Sequence, residues 1–445
     1  MKKPLKPPPL EELWKEISRD RMNLLFSNMT PIWKNRYLHW DKLQYREPPQ
    51  GLTTKEWWAA IKLARNGQLR QIDLKDTQGN PFRFGMPDPV LEYLHKVDQK
   101  AGGQIQTLDD DVIDSGTKEK YLIHSLIEEA ITSSQLEGAT STRRVAKEMI
   151  RTARPPKDKS EQMILNNYLT MRLIKDKATE SLSIEMILDL HRHLSENTLD
   201  DPSAVGRFRN EKEEIRIYDN IAMGENILHN PPPAEQLKER IQTLCDFANG
   251  KTPLFYIHPV IRAIVLHFWL AYDHPFIDGN GRCARALFYW SMLRQGYWLC
   301  EYLSISQILR KAPSQYARSF LYTESDDNDL TYFILYNLNV LVRAIDELHC
   351  YVTARSSELK SVGRLLKKYN LNHRQIELIQ HALRHDDAVY TIKAHQNTNN
   401  IVYQTARTDL LGLEKLNFLE KRQSGKELVF VPSEFLETKI KTGAF

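Results

Sequence analysis

Residues 260–273 read VIRAIVLHFWLAYD, apolar nearly all the way round a helix rather than along one stripe. A helix of that kind is stable only where neighbours cover every side, so the chain must build a multi-helix body with this segment at its centre. Suitable neighbours are present: Ile164, Tyr168, Met171 and Ile174 recur near the helical period, as do Ile187, Leu190 and Leu194. Strand-like pieces occur only at 214–218, 389–392 and 428–431, so the expected class is mainly α with small hairpins. At 445 residues the chain exceeds what one core organises. Punctuation at Pro48-Pro49-Gln50-Gly51, Ala101-Gly102-Gly103, Pro155-Pro156, Pro231-Pro232-Pro233 and around Gly363 suggests an N-terminal helical region over 1–105, a core domain over 106–350 and a third domain over 366–445.

Composition excludes some classes. Apolar residues make up 41% and charged residues 27%, ordinary for a globular protein. No run approaches 18 uncharged apolar residues, and the opening MKKPLKPPPL breaks into prolines before any signal-like stretch, so neither a membrane span nor export is expected. Cys245, Cys283, Cys300 and Cys350 form no CxxC pair and are too sparse to staple the chain, which points to packing roles and a cytoplasmic location. A net charge of +4 announces no polyanion partner, but residues 351–445 carry 15 Lys/Arg against 10 Asp/Glu and hold the excess.

Directly after the central helix comes His274-Pro275-Phe276-Ile277-Asp278-Gly279-Asn280-Gly281-Arg282-Cys283-Ala284-Arg285, then a second apolar helix to about Gln295. Glycines flanking Asn280 let the backbone turn its N–H groups inward, and the following helix presents its positive end, so the loop is an anion cradle suited to phosphate. Arg282 and Arg285, three apart, can reach one polyphosphate from one helix face. Asp278 offers the hard oxygen that Mg²⁺ takes when it also holds substrate phosphates. His274 titrates near neutrality and can accept a hydroxyl proton. Phe276, without reactive chemistry, should anchor the loop in the core.

The stretch resembles the HPFx[D/E]GNGRxxR signature of the Fic family at every specified position. The likeness extends through Gly206-Arg207-Phe208-Arg209, Pro231-Pro232-Pro233, His258-Pro259 and Gly296-Tyr297, about residues 160–345 in all. The resemblance implies a helical fold that binds MgATP and transfers AMP to a Ser, Thr or Tyr hydroxyl of a target protein. By position, His274 is then the general base, Asp278 the Mg²⁺ ligand, and Gly279, Asn280, Gly281, Arg282 and Arg285 the ATP phosphate binders. Residues 211–230, with Ile215, Ile217 and Tyr218, fall where the family has a flap hairpin that pairs with the target's backbone. Tyr297, Tyr316 and Tyr322 are candidates for an adenine pocket.

Residues 119–137 place Ile123, Leu126, Ile127, Ala130, Ile131 and Ser134 on one helical face, and Gly138 supplies a left-handed stop. Glu137 stands at the negative end of that helix, where a carboxylate needs a cation. Ser133-Ser134-Gln135-Leu136-Glu137-Gly138 resembles the family's [S/T]xxxE[G/N] inhibitory motif. This implies that Glu137 pairs with Arg285 and turns ATP from its productive pose, and that in some members the same glutamate aligns a water that removes AMP.

Residues 1–105 show Trp-rich helical pieces without legible chemistry. Residues 366–445 resemble a winged helix-turn-helix, with the TAR-x-DL pattern at Thr405–Leu410. Tyr403, Gln404, Arg407 and Thr408 are placed to meet a major groove, and Lys421, Arg422 and Lys426 to meet phosphates. The expected partners are thus a target protein, DNA through the C-terminal domain and a second copy as a homodimer, with no membrane. A rival reading makes the chain a DNA-binding regulator whose Fic domain senses nucleotide; another keeps the fold and changes the transferred group.

Overall fold

The computed structural model describes residues 3–102, 115–152, 154–218, 227–366, 369, 371–384, 388–399, 401–424, 427–434 and 436–442. Short helical pieces between Leu10 and Leu43 precede α1 (Thr54–Asn66), β1 (Arg70–Lys75), β2 (Pro81–Phe84) and α2 (Asp88–Val97). There follow α3 (Ser115–Leu136), α4 (Arg143–Thr152), α5 (Lys159–Asp176), α6 (Ile184–Ser195), β3 (Ile217–Tyr218), β4 (Ile227–His229) and α7 (Leu237–Ala248). Next come α8 (Pro259–Asp273), α9 (Asn280–Arg294), α10 (Ile305–Lys311), α11 (Pro313–Ser325) and α12 (Thr331–Leu366). The C-terminal elements are α13 (His373–Arg384), β5 (Tyr390–Thr391), α14 (Ile392–Asn399), α15 (Tyr403–Lys415), β6 (Leu419–Ser424), β7 (Glu427–Pro432) and α16 (Leu436–Thr442). The class is mainly α. Among the described residues no helix is long and apolar enough to cross a membrane.

The chain divides into two compact units, Met1–Leu348 and His349–Phe445, with the boundary inside α12. In the first, α8 is the axis: nearly all its residues are buried, from Val260 to Asp273. Pro259 opens it at a position where the missing N–H costs nothing, and the His258 side chain accepts from Val260 N. Helices α6, α7, α9 and α12 contribute to the same core.

The N-terminal stretch, expected to be helical throughout, contains the antiparallel hairpin β1–β2. Its physical basis is period-two burial: Ile72, Leu74, Phe82 and Phe84 alternate inward onto the α8 core. The turn is tied by Asp76, whose carboxylate accepts from Gln78 N and Asn80 N.

In the second unit, β5, β7 and β6 form a three-stranded sheet, and Leu378, Ile379, Leu410, Leu413, Phe418 and Phe430 fill its core. The strand expected at 389–392 stops at Thr391, because the Thr391 hydroxyl accepts from Ala394 N and starts α14 instead. The strand expected at 428–431 is β7, and β6 beside it was not anticipated. Lys426 lies outside the described residues. The cysteines are free thiols; Cys245, Cys283 and Cys300 are buried as packing residues, whereas Cys350 is exposed.

Candidate active site

The loop between α8 and α9 is set by its own residues. His274 ends α8 in the left-handed conformation (φ 46°), and Gly279 repeats it (φ 83°), so the chain reverses and α9 starts at Asn280. Asn280 spends its side chain on the turn: its Oδ1 accepts from Phe276 N (2.9 Å) and its Nδ2 donates to Phe276 O (2.7 Å). Phe276 is wholly buried, its ring stacked 3.8 Å from that of His191. The first-turn N–H groups of Asn280, Gly281 and Arg282 have no intrahelical acceptors, which makes that end of α9 electropositive.

Two residues to which sequence reasoning gave no role hold the loop from outside. His191, on α6, accepts from Gly206 N at Nδ1 (3.0 Å), so its Nε2–H donates to Asp278 O (3.0 Å). Arg209 donates through Nε to His274 O (2.9 Å) and through Nη2 to Pro232 O. Both act across at least 65 residues of chain, a separation that local periodicity does not reveal.

His274 is half-buried and its Nδ1 lies 3.2 Å from Ala271 O. A carbonyl only accepts, so Nδ1 carries the proton and Nε2 keeps the lone pair. Burial depresses the His274 pKa to about 4; the Ala271 carbonyl and Glu137 oppose this, and His229 and Arg209 add to it. The ring is neutral at physiological pH. His229, on β4, has acceptors on both sides, Tyr272 O and the Glu324 carboxylate, each at 2.8 Å. Burial disfavours its charge, but these partners outweigh burial and raise its pKa. It fastens the β3–β4 hairpin to the end of α8. Ile217 pairs with His229 and Tyr218 with Ile227; residues 219–226 of the expected flap lie outside the described residues.

Arg282 and Arg285 are 1% and 2% exposed. Arg282 donates through Nη1 to Leu194 O (2.8 Å), and its Nη2 lies 3.6 Å from Asp278 Oδ2. Its Nε and Nη2 have no hydrogen-bond partner. The Asp278 carboxylate accepts from Gly279 N (2.6 Å) and its side chain is 47% exposed.

Arg285 donates through Nε to Ser133 Oγ (2.9 Å) and through Nη2 to Ser133 O (3.0 Å) and Glu137 Oε1 (2.8 Å). Glu137 follows the last residue of α3, and Gly138 turns the chain at φ 95°. A methyl group added at Gly281 would overlap the Glu137 carboxylate, so that carboxylate lies over the first turn of α9. Burial would raise the Glu137 pKa; Arg285, with Arg282 and His274 behind it, reverses this and holds it below the ordinary range. Of the expected inhibitory-helix face, Ile127, Ala130, Ile131 and Ser134 are buried, while the side chain of Ile123 lies outside the described residues.

The three tyrosines considered for an adenine pocket are dispersed. Tyr297 OH donates to Asp98 Oδ1 (2.6 Å), Tyr316 OH meets His267 Nε2 (2.7 Å), and Tyr322 OH donates to Asp41 Oδ2 (3.2 Å). Only Tyr316 also faces Arg285.

Residues 181–292 match the Fic/DOC family. The chain is 29% identical over 188 residues to a protein adenylyltransferase Fic of Nematostella vectensis, covering 40% of this chain and 39% of the relative. To protein adenylyltransferase fic-1 of Caenorhabditis elegans it is 32% identical over 121 residues, covering 27% of this chain and 21% of the relative. It thus spans well under half the length of these curated relatives. Among solved structures, a Fic family protein from Desulfovibrio desulfuricans G20 shares the fold with a TM-score of 0.51 at 19% identity, over 78% of this chain and 96% of that one. Residues 181–292, the segment that carries the loop and the hairpin beside it, thus match the Fic/DOC family, and the chain shares its fold with a solved Fic family protein.

Proposed function

We propose that the chain is a protein adenylyltransferase that moves AMP from ATP to a hydroxyl of a target protein. The observation that carries the reading is Arg282, buried at the mouth of α9 with no hydrogen-bond acceptor at Nε or Nη2 and only the Asp278 carboxylate, 3.6 Å away, facing Nη2. A buried guanidinium with spare donors is costly unless an anion meets them, and phosphate does so in the right geometry. Gly279 and Gly281 leave the backbone open to the same anion. Asn280 shapes the cradle from behind.

In this reading the target hydroxyl gives its proton to His274 Nε2 as its oxygen attacks the α-phosphorus of ATP. The new O–P bond forms as the bond to the bridging oxygen breaks, and pyrophosphate leaves with its charge met by Arg282, Arg285 and the α9 N-terminus. His274 suits this because its neutral tautomer is fixed by Ala271. Asp278, a half-exposed carboxylate beside the cradle, fits a Mg²⁺ that takes its other ligands from substrate phosphates. Bound there, the ion would neutralise phosphate charge. The β3–β4 hairpin, held by His229, fits a surface that aligns an added target strand.

Glu137 is read as the inhibitory residue, with Ser133 and Gly138 completing its motif. Its carboxylate competes with the terminal phosphate for Arg285 and for the space over Gly281. In the same reading this carboxylate also aligns a water that removes AMP from the modified target. For the C-terminal unit we read a winged-helix DNA-binding module within residues 366–445. The supporting observation is that Tyr403, Gln404, Arg407 and Thr408 are exposed on α15, while Ala406, Asp409 and Leu410 face inward. A cytoplasmic location rests on the sparse cysteine spacing. The test of the enzymatic reading is incubation with MgATP labelled at the α or the γ position, where the α label alone should become protein-bound.

A further inference from the structure

Four residues at four-residue intervals on α3 and its end, Ser125, Glu129, Ser133 and Glu137, form one polar stripe, and the Thr132 hydroxyl beside it lies 3.3 Å from that of Ser304. Ser133 and Glu137 meet Arg285. The upper two meet a different segment: Ser125 Oγ donates to Tyr302 O (2.7 Å), and Glu129 receives the start of α10. Glu129 is 1% exposed. Its Oε2 accepts from Ser304 Oγ (2.9 Å) and Ser306 N (3.1 Å), and its Oε1 from Ser306 Oγ (2.5 Å). That segment is in turn tied to α9: Tyr289 OH accepts from Ile305 N (3.0 Å) and donates to Leu303 O (3.2 Å). Tyr289 stands one helical turn beyond Arg285.

The contacts close a ring, from Arg285 to Tyr289 along α9, across 303–306 to Glu129, and along α3 to Ser133 and Glu137. A ring of this kind fixes the axial register of α3 against α9. Sliding a helix by one residue moves its side chains by about 1.5 Å, enough to separate Glu137 from Arg285. Ile127, Ala130 and Ile131 pack on Ala146, Met149 and Ile164, so they hold α3 to α4 and α5 and leave its register against α9 to the polar ring.

We infer that Glu129 is a positioning residue of the inhibitory device, holding α3 in the register that delivers Glu137 to Arg285. The inference rests on the inhibitory reading of Glu137. It assigns the buried carboxylate no contact with ATP or target. Disturbance of segment 302–306 then reaches the active site through α3.

The test uses the full chain and auto-modification by α-labelled MgATP, comparing the parent, Glu129→Ala, Glu137→Gly and the double variant, with melting temperatures alongside. Glu129→Ala should raise the initial rate roughly 3- to 10-fold, less than Glu137→Gly, and should add nothing in the Glu137→Gly background. A residue that merely supports the fold would lower the rate in both backgrounds. Glu129→Gln, which keeps the shape and one acceptor, should stay near the parental rate. Should Glu129→Ala not fold, Ser304→Ala with Ser306→Ala removes the two hydroxyl bonds from the other side and leaves the one from Ser306 N, so the same direction of change is expected at smaller size. Activation by Glu137→Gly without activation by a folded Glu129→Ala or the serine pair overturns the positioning role and leaves inhibition standing. No activation by Glu137→Gly overturns the inhibitory reading itself, and the positioning role with it.

Discussion

Replacing Glu137 by Gly should make the protein more active and less stable together. Arg285 is 2% exposed and the Glu137 side chain 23%, with 2.8 Å between Nη2 and Oε1. Removing one partner of a fully buried pair costs about 3–5 kcal/mol, because a charge is left without an answer. Here Arg285 keeps both bonds to Ser133, and the carboxylate is partly wet. The expected loss is therefore smaller, about 1–3 kcal/mol, or a few degrees in Tm. The gain has the same origin. A hydrogen bond to a charged group is worth about 1.5–3 kcal/mol, so freeing Arg285 for phosphate should accelerate auto-modification roughly 10- to 100-fold. The assay is the initial rate of label incorporation from α-labelled MgATP, with calorimetry on the same preparations. Arg285→Ala should be inactive with or without Glu137. An unchanged rate and unchanged ATP affinity in Glu137→Gly would refute the competition argument.

Stability should fall as pH drops from about 6.5 towards 4, because burial holds His39, His191 and His274 to about 4 and His267 to about 3 while the unfolded chain protonates near 6.5. These groups contribute their full stability above that window and lose it on acidification; His229, raised, acts in the opposite direction. Calorimetry at pH 7, 6 and 5 should show a declining Tm, and a flat or rising Tm would contradict the neutral burial of these rings. For the tail, Lys421→Ala should reduce the slope of log affinity against log salt by about 0.9 on duplex DNA, and Arg407→Ala should weaken binding at every salt concentration. Salt-independent binding would remove the winged-helix reading.

The central helix and its loop were legible because their signals are local: a nearly all-apolar run, a glycine where the chain must reverse, and a phenylalanine with only a core to enter. Phe276 and Gly279 stand as that logic expects. The supports of the loop were not legible, since His191 and Arg209 acquire their roles from partners far along the chain. Asn280 shows the limit from the other side. Its place between two glycines marks it for phosphate, yet its amide closes the turn on Phe276. The β1–β2 hairpin was readable in principle, as Ile72, Leu74, Phe82 and Phe84 alternate around an Asp-Thr-Gln-Gly-Asn turn. Tryptophan-rich helical segments beside it dominated the expectation. Glu129 had no signal at all: a glutamate on an amphipathic helix reads as solvated until Ser304 and Ser306 are brought against it.

The claim that this loop transfers AMP is tested most directly by following the two labels in parallel, with His274→Ala as the paired protein. The account expects the α label, and not the γ label, to become covalently bound to protein, with a loss of about 10²–10⁴-fold in His274→Ala while ATP binding persists. Incorporation of the γ label, or an unchanged single-turnover rate in His274→Ala, would contradict it.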